Sequence, residues 1–173
     1  MNDSDREERI NYPLLIAAIL IVGTMLGVAA IQMLDSRSGT QVEKVSMTEE
    51  QLAGFITHVE TMVARYTVRV DENGLPVVHP PAGSEVYILA RNYDFGKFTL
   101  ELEKGSSYQL KLASKDIKHG IVVRELKLRS RINTGEIQSI EFTPEKSGTF
   151  RVVCGEYCGS GHSSMVGRLI VTE

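Results

Sequence analysis

The stretch Thr149-Phe150-Arg151-Val152-Val153-Cys154-Gly155-Glu156-Tyr157-Cys158-Gly159-Ser160-Gly161-His162-Ser163-Ser164-Met165-Val166 reads as a strand that runs straight into a loop built to gather ligands. Phe150, Val152 and Cys154 alternate with outward residues, so the period of two turns Cys154 inward at the strand end. Gly155, Gly159 and Gly161 let the backbone turn tightly, bringing Cys158, His162 and Met165 back towards one point. Residues 166–171 then resume as a strand. Two thiols, an imidazole and a thioether within twelve residues suit a thiophilic transition metal, copper above all. Both cysteines of the chain lie in this run.

Working outward, the pattern of short alternating stretches broken by turns extends back to residue 66. Strands are expected at 66–70, 85–91, 98–102, 108–112, 120–123, 125–129, 136–143, 149–154 and 166–171. Turn signals separate them at Glu103-Lys104-Gly105-Ser106 and at 144–148. No helix intervenes, and the fold class is all-β, an antiparallel β-sandwich. The metal-type loop needs a second imidazole, and His119, just before the strand 121–123, is the best placed. His58 lies on a helix beside its apolar stripe, and His79 stands in a proline-rich loop; neither is expected to be a ligand.

Upstream of the domain, Thr48-Glu49-Glu50-Gln51 has the spacing of a capping box. Leu52, Phe55, Ile56, Val59, Met62, Val63 and Tyr66 follow with a helical period, a short amphipathic helix whose stripe can face a membrane, the domain itself or a partner. Residues 35–47 are polar and read as a juxtamembrane linker. Residues 14–34 carry no charge, long enough for one crossing of a bilayer's hydrocarbon core, about 20 apolar residues. The acidic start and the length of the run favour a retained anchor over a cleaved signal peptide. The expected organisation is a tail at 1–11, a transmembrane helix at 12–34, a linker with its amphipathic helix at 35–65, and the β-domain at 66–173. The net charge is −3 over 173 residues, and residues 35–173 hold 17 basic and 18 acidic side chains. Without a basic block, nucleic acid is not an expected partner.

Several chemistries fit the ligand run taken alone. A Cys-x3-Cys pair outside the cytosol is often a disulfide. Zinc accepts two Cys and two His but has no use for Met165. A mononuclear blue-copper site uses one cysteine, and this chain offers two.

The pattern Cys154-x-Glu156-x-Cys158-x3-His162-x2-Met165, with His119 upstream on a β-sandwich and an N-terminal anchor, resembles subunit II of cytochrome c oxidases and its binuclear copper (CuA) domain. A single anchor helix is similar to the B-type branch of that family. The resemblance implies a cupredoxin-like Greek-key sandwich. It implies Cys154 and Cys158 as thiolates bridging two coppers, with His119 and Met165 completing one metal. His162 and the backbone carbonyl of Glu156 would complete the other. It further implies electron input from cytochrome c or another c-type donor, and delivery to haem in subunit I, where oxygen is reduced to water with proton pumping. The chain alone would have no oxygen chemistry. The expected location is the cell membrane, with the N-terminus cytoplasmic and the copper domain outside. Relatives often hold an aromatic cluster with Trp at the docking face; this chain has no Trp, and Tyr93 and Phe95 fall where that cluster would lie, as an electron-input patch. Glu156 is also the residue through which some relatives hold a magnesium ion at the interface with subunit I. Asp116 is placed to orient His119 through a hydrogen bond. The alternative from another class is a membrane-anchored protein that stores or delivers copper.

Overall fold

The computed structural model describes residues 13, 16, 17, 20–24, 42–91 and 93–173. The chain divides into two units, Met1–Gly39 and Thr40–Glu173. In the first, the described residues are helical, and Ile16, Leu20, Ile21 and Val22 leave their apolar side chains exposed. Most of the expected transmembrane helix at 12–34 lies outside the described residues. Among those described, no helix is long and apolar enough to cross a membrane.

The second unit is a β-sandwich of two sheets. One sheet runs β1 (Val42–Ser46), β9 (Glu136–Phe142), β6 (Tyr108–Ser114) and β4 (Glu85–Ala90). The other runs β2 (Thr67–Val70), β3 (Pro76–Val78), β5 (Thr99–Glu103), β11 (Val166–Thr172), β10 (Gly148–Val153), β7 (His119–Val123) and β8 (Leu128–Ile132). Alternate side chains of each, such as Leu110, Leu112 and Ile140 against Leu102, Ile121, Val123 and Leu169, meet in a buried core.

Three strand pairs, β3–β5, β4–β6 and β5–β11, are parallel, where a wholly antiparallel sandwich was expected. For β3–β5 and β4–β6 the cause is the route of the chain. From β3 to β6 it changes sheet at every strand, so each return to a sheet points the same way as the last visit, and neighbours become parallel. A period of two reports which face is buried and nothing about direction.

Two strands were not expected. β1 lies within the segment read as a linker, and pairs with β9 from Val42↔Ile140 to Ser46↔Glu136. All five of its residues are exposed, so it has no burial pattern to read. β3 is three residues long and begins at a proline, the place in a strand where a missing N–H costs least. The stretch 125–129 is shifted: Arg124–Leu126 forms a 3-10 turn, Lys127 takes a left-handed φ of 55°, and the strand starts at Leu128.

The helix α1 (Glu49–Tyr66) forms as its sequence dictates. Thr48 accepts from the Gln51 N–H at 3.2 Å, and the Gln51 side chain accepts from the Thr48 N–H at 2.8 Å. Glu49 and Glu50 sit in the first turn and Arg65 in the last, each favourable to the helix dipole. Of the three expected settings for its stripe, the helix packs on its own domain. Phe55, Val59 and Met62 are buried; Phe55 meets Tyr87 edge-on at 5.3 Å, and the Tyr87 N–H donates to Met62 Sδ at 3.4 Å. His58 stacks on the same Tyr87 ring and is exposed. Replacing Thr48 by alanine removes the cap and is expected to cost about 1 kcal/mol, measured by urea unfolding of the full chain.

Candidate metal centre

β10 and β11 are antiparallel neighbours that close on Val153↔Val166, so residues 154–165 form the connection at one end of the sandwich. The Cys154 N–H donates to the Met165 carbonyl at 3.3 Å, joining the two ends of this ligand loop. Inside it, His162 N–H donates to Gly159 O, Ser164 N–H to Gly161 O and Met165 N–H to His162 O, winding 162–164 into one 3-10 turn. These bonds satisfy part of the loop's own backbone polar groups within the twelve residues.

The loop converges as the spacing requires. Cys154 Sγ and Cys158 Sγ lie 3.6 Å apart, and both cysteines are free and buried. A disulfide needs about 2.05 Å. Around Cys158 Sγ stand His162 Nδ1 at 3.7 Å and Met165 Sδ at 3.9 Å. Cys154 Sγ–H donates to the Glu156 carbonyl oxygen at 3.1 Å, so that carbonyl faces the sulfurs. From β7, His119 enters the same space: one ring nitrogen of His119 and the two sulfurs all lie within 4.8 Å of one another. The structure thus joins all six expected ligand positions, His119, Cys154, Glu156, Cys158, His162 and Met165.

The state of His119 is informative. Its Nε2 meets Asp116 Oδ1 at 2.8 Å, as expected for an orienting carboxylate. Its Nδ1 is buried and, among the described residues, has no hydrogen-bond partner. Leaving a fully buried ring nitrogen unpaired is costly unless something else binds it. Two facing sulfurs, a thioether and this nitrogen form a donor set that fits copper. Burial pushes the Cys158 thiol up to about 11, and the adjacent Cys154 adds to the rise. A metal taken up here therefore has to displace protons.

Exposure grades across the site. His119, Met165 and Cys158 are enclosed, His162 is half-buried, and Tyr157 is 78% exposed with its ring 5.8 Å from that of His162. Tyr157 escaped the sequence reading because no periodicity marks a loop residue; its one signal was an aromatic between two cysteines. The expected patch of Tyr93 and Phe95 divides. Phe95 is buried at 8% exposure within the core, so its side chain offers no docking surface. Tyr93 is half-buried at the site, its ring packed over Gly159 and Gly161. The Glu156 carboxylate, through which some relatives hold magnesium, is paired with two cations of this chain. Arg131 Nε reaches Oε1 at 3.0 Å and Lys118 Nζ reaches Oε2 at 3.5 Å, and the Arg131 hydrogen bond chiefly holds the carboxyl below its usual range. His79 lies away from the loop, between Glu101 and Glu103.

Residues 98–172 match the family model of the cytochrome C oxidase subunit II, periplasmic domain. The chain is similar to cytochrome c oxidase subunit 2 of Thermus thermophilus, 31% identical over 88 residues, 51% of this chain and 65% of that protein. It is 37% identical over 68 residues to a probable cytochrome c oxidase subunit 2 of Streptomyces coelicolor, covering 39% of this chain and 21% of the relative. Against a second Thermus thermophilus subunit 2 it spans about half (52%) of the relative's length. Among solved structures, a chain of a heme-copper terminal oxidase dimer superposes with a TM-score of 0.53 over 95% of this chain and 100% of that one; at 21% identity the likeness bears on the fold.

Proposed function

We propose that this chain, whose residues 98–172 match the subunit II periplasmic domain, is the electron-input subunit of a membrane-bound haem-copper oxidase. In that role it receives electrons from a c-type cytochrome and passes them to haem in subunit I, which reduces oxygen. The observation that carries the reading is the pair of unbonded sulfurs 3.6 Å apart, with His119, His162, Met165 and the Glu156 carbonyl directed at them. Cys154 and Cys158, with His119, His162, Met165 and the Glu156 carbonyl, would hold a binuclear copper (CuA) centre. When bound, that centre supplies a one-electron relay.

What the chain's own residues contribute follows from their placement. Two thiolates bring −2 to a pair of coppers totalling +3, so little net charge is buried. The sandwich fixes His119 from β7 and the loop from β10 and β11, so the ligand positions are set by hydrogen-bonded strands rather than by the metal. Asp116 holds the His119 ring through Nε2 and leaves the buried Nδ1 without a protein partner, in a residue that stands beside the two sulfurs. His162 and Tyr157, with Tyr93 behind the loop, bring the site to the surface where a donor can approach. The exposed apolar side chains at 16 and 20–22 support the membrane anchor.

The test is copper loading of the full chain in detergent. Two coppers per chain, a purple colour, a seven-line copper EPR signal and reduction by ferrocytochrome c are expected. A colourless Cu(I) protein that surrenders its metal to weak chelators would instead favour copper storage or delivery, and a zinc-only protein would refute both.

A further inference from the structure

Glu156 presents two different groups. Its carbonyl oxygen faces Cys154 Sγ at 3.1 Å, while its carboxylate meets Arg131 Nε at 3.0 Å on one oxygen and Lys118 Nζ at 3.5 Å on the other. The two cations belong to the hairpin that supplies His119: Lys118 immediately precedes it, and Arg131 on β8 is the register partner of Gly120 on β7. The ligand loop also touches that hairpin through its backbone. Gly155 N–H donates to Gly120 O at 3.2 Å, and a Cβ on Gly120 would lie 3.0 Å from Glu156 N and 3.1 Å from the Gly155 carbonyl carbon. The loop rests on a residue with no side chain, pinned on either side by an ion pair. A divalent cation at this carboxylate would need its oxygens free and its surroundings negative. Here both oxygens already face positive charge.

We infer that Arg131 and Lys118 are positioning residues that take the place of a divalent cation at Glu156, seating the ligand loop on the β7–β8 hairpin so that the Glu156 carbonyl and His119 keep their spacing to the two sulfurs. The inference rests on the copper reading above. Arg131 and Lys118 are more than half exposed, and exposed ion pairs add little to global stability. Their effect is therefore to be sought at the metal and not in the melting temperature. Partners that orient metal ligands from outside typically change metal affinity about 10–100-fold when removed.

The experiment uses the full chain loaded with copper, comparing Glu156→Gln, the double variant Lys118→Gln/Arg131→Gln, the triple variant and Arg131→Lys. The double variant is expected to lose copper to a Cu(I) chelator about tenfold faster and to show altered copper hyperfine splitting, with an unchanged melting curve of the metal-free protein. Glu156→Gln should match it, the triple variant should be no worse than either, and Arg131→Lys should restore most of the wild-type behaviour. Manganese(II), as a paramagnetic probe for a magnesium site, should bind wild type and Glu156→Gln alike. Unchanged spectra and copper loss in the double variant, additive effects in the triple, or a manganese site that vanishes with Glu156→Gln would each overturn the seat alone. A wild-type chain that takes up no copper would overturn the copper reading and this inference with it.

Discussion

On the proposed copper reading, serine in place of Cys158 is expected to abolish a binuclear centre and lower electron uptake from a c-type donor by at least about 100-fold. Cys158 Sγ is the hub of the site: Cys154 Sγ, His162 Nδ1 and Met165 Sδ all lie within 3.9 Å of it. A serine oxygen is smaller, harder and far less acidic than a thiol, so it bridges two thiophilic metals poorly and stays protonated. The copper content should fall from two per chain to one or none, and the seven-line EPR pattern should give way to four lines or to silence. The β-sandwich needs no metal for its strand pairing, so the metal-free variant should keep its circular dichroism. Full retention of two coppers with unchanged EPR would refute the bridging role of this sulfur. Cys154→Ser should behave alike, since its sulfur is the one that faces the Glu156 carbonyl.

That the hub could be located at all from the chain reflects how much of this site is local. Cys154, Glu156, Cys158, His162 and Met165 sit in one connection, and their convergence follows from turn chemistry within twelve residues. His119 is distant in sequence, yet its place before an apolar strand marked it, because β7 is buried along its whole length. The helix α1 was legible for a similar reason, since its cap and its stripe are both short-range patterns. The features that escaped are those that depend on a partner strand or on a side of the fold no period reports. β1 is an exposed edge whose five residues look like linker until Ile140 and its neighbours pair with them. The parallel pairs β3–β5 and β4–β6 arise from the chain's crossing between sheets, which alternation does not record. Tyr93 and Phe95 were expected together at the surface because they fall where relatives carry an aromatic cluster, yet the chain sends one ring over the loop and the other into the core. The pairing of Glu156 with Arg131 joins positions 25 residues apart, and nothing in either neighbourhood announces it.

Alanine at Gly161 is expected to disturb the site nearly as much as loss of a sulfur, although it adds one methyl group. The backbone there is at φ −87°, which alanine adopts without strain, so any effect is steric. A Cβ built on Gly161 would lie 2.2 Å from Tyr93 Cδ2 and 2.3 Å from Cγ, against the root of the ring and not a flexible tip. Tyr93 has little freedom to withdraw. It is a non-glycine residue at φ 63°, held in a turn where Arg91 and Asp94 exchange both backbone hydrogen bonds, at 3.1 and 2.8 Å. Either the turn opens or the loop moves, and the next loop residue is His162. Overpacking of this kind costs about 1–3 kcal/mol in stability, with copper affinity falling alongside as His162 is displaced. The measurement is a double-mutant cycle in the full chain with Tyr93→Gly, which removes the ring and accepts the left-handed backbone. If the ring is the obstacle, Tyr93→Gly/Gly161→Ala should bind copper more tightly than Gly161→Ala alone. Simple addition of the two single effects would mean that Tyr93 does not pack against this loop as described.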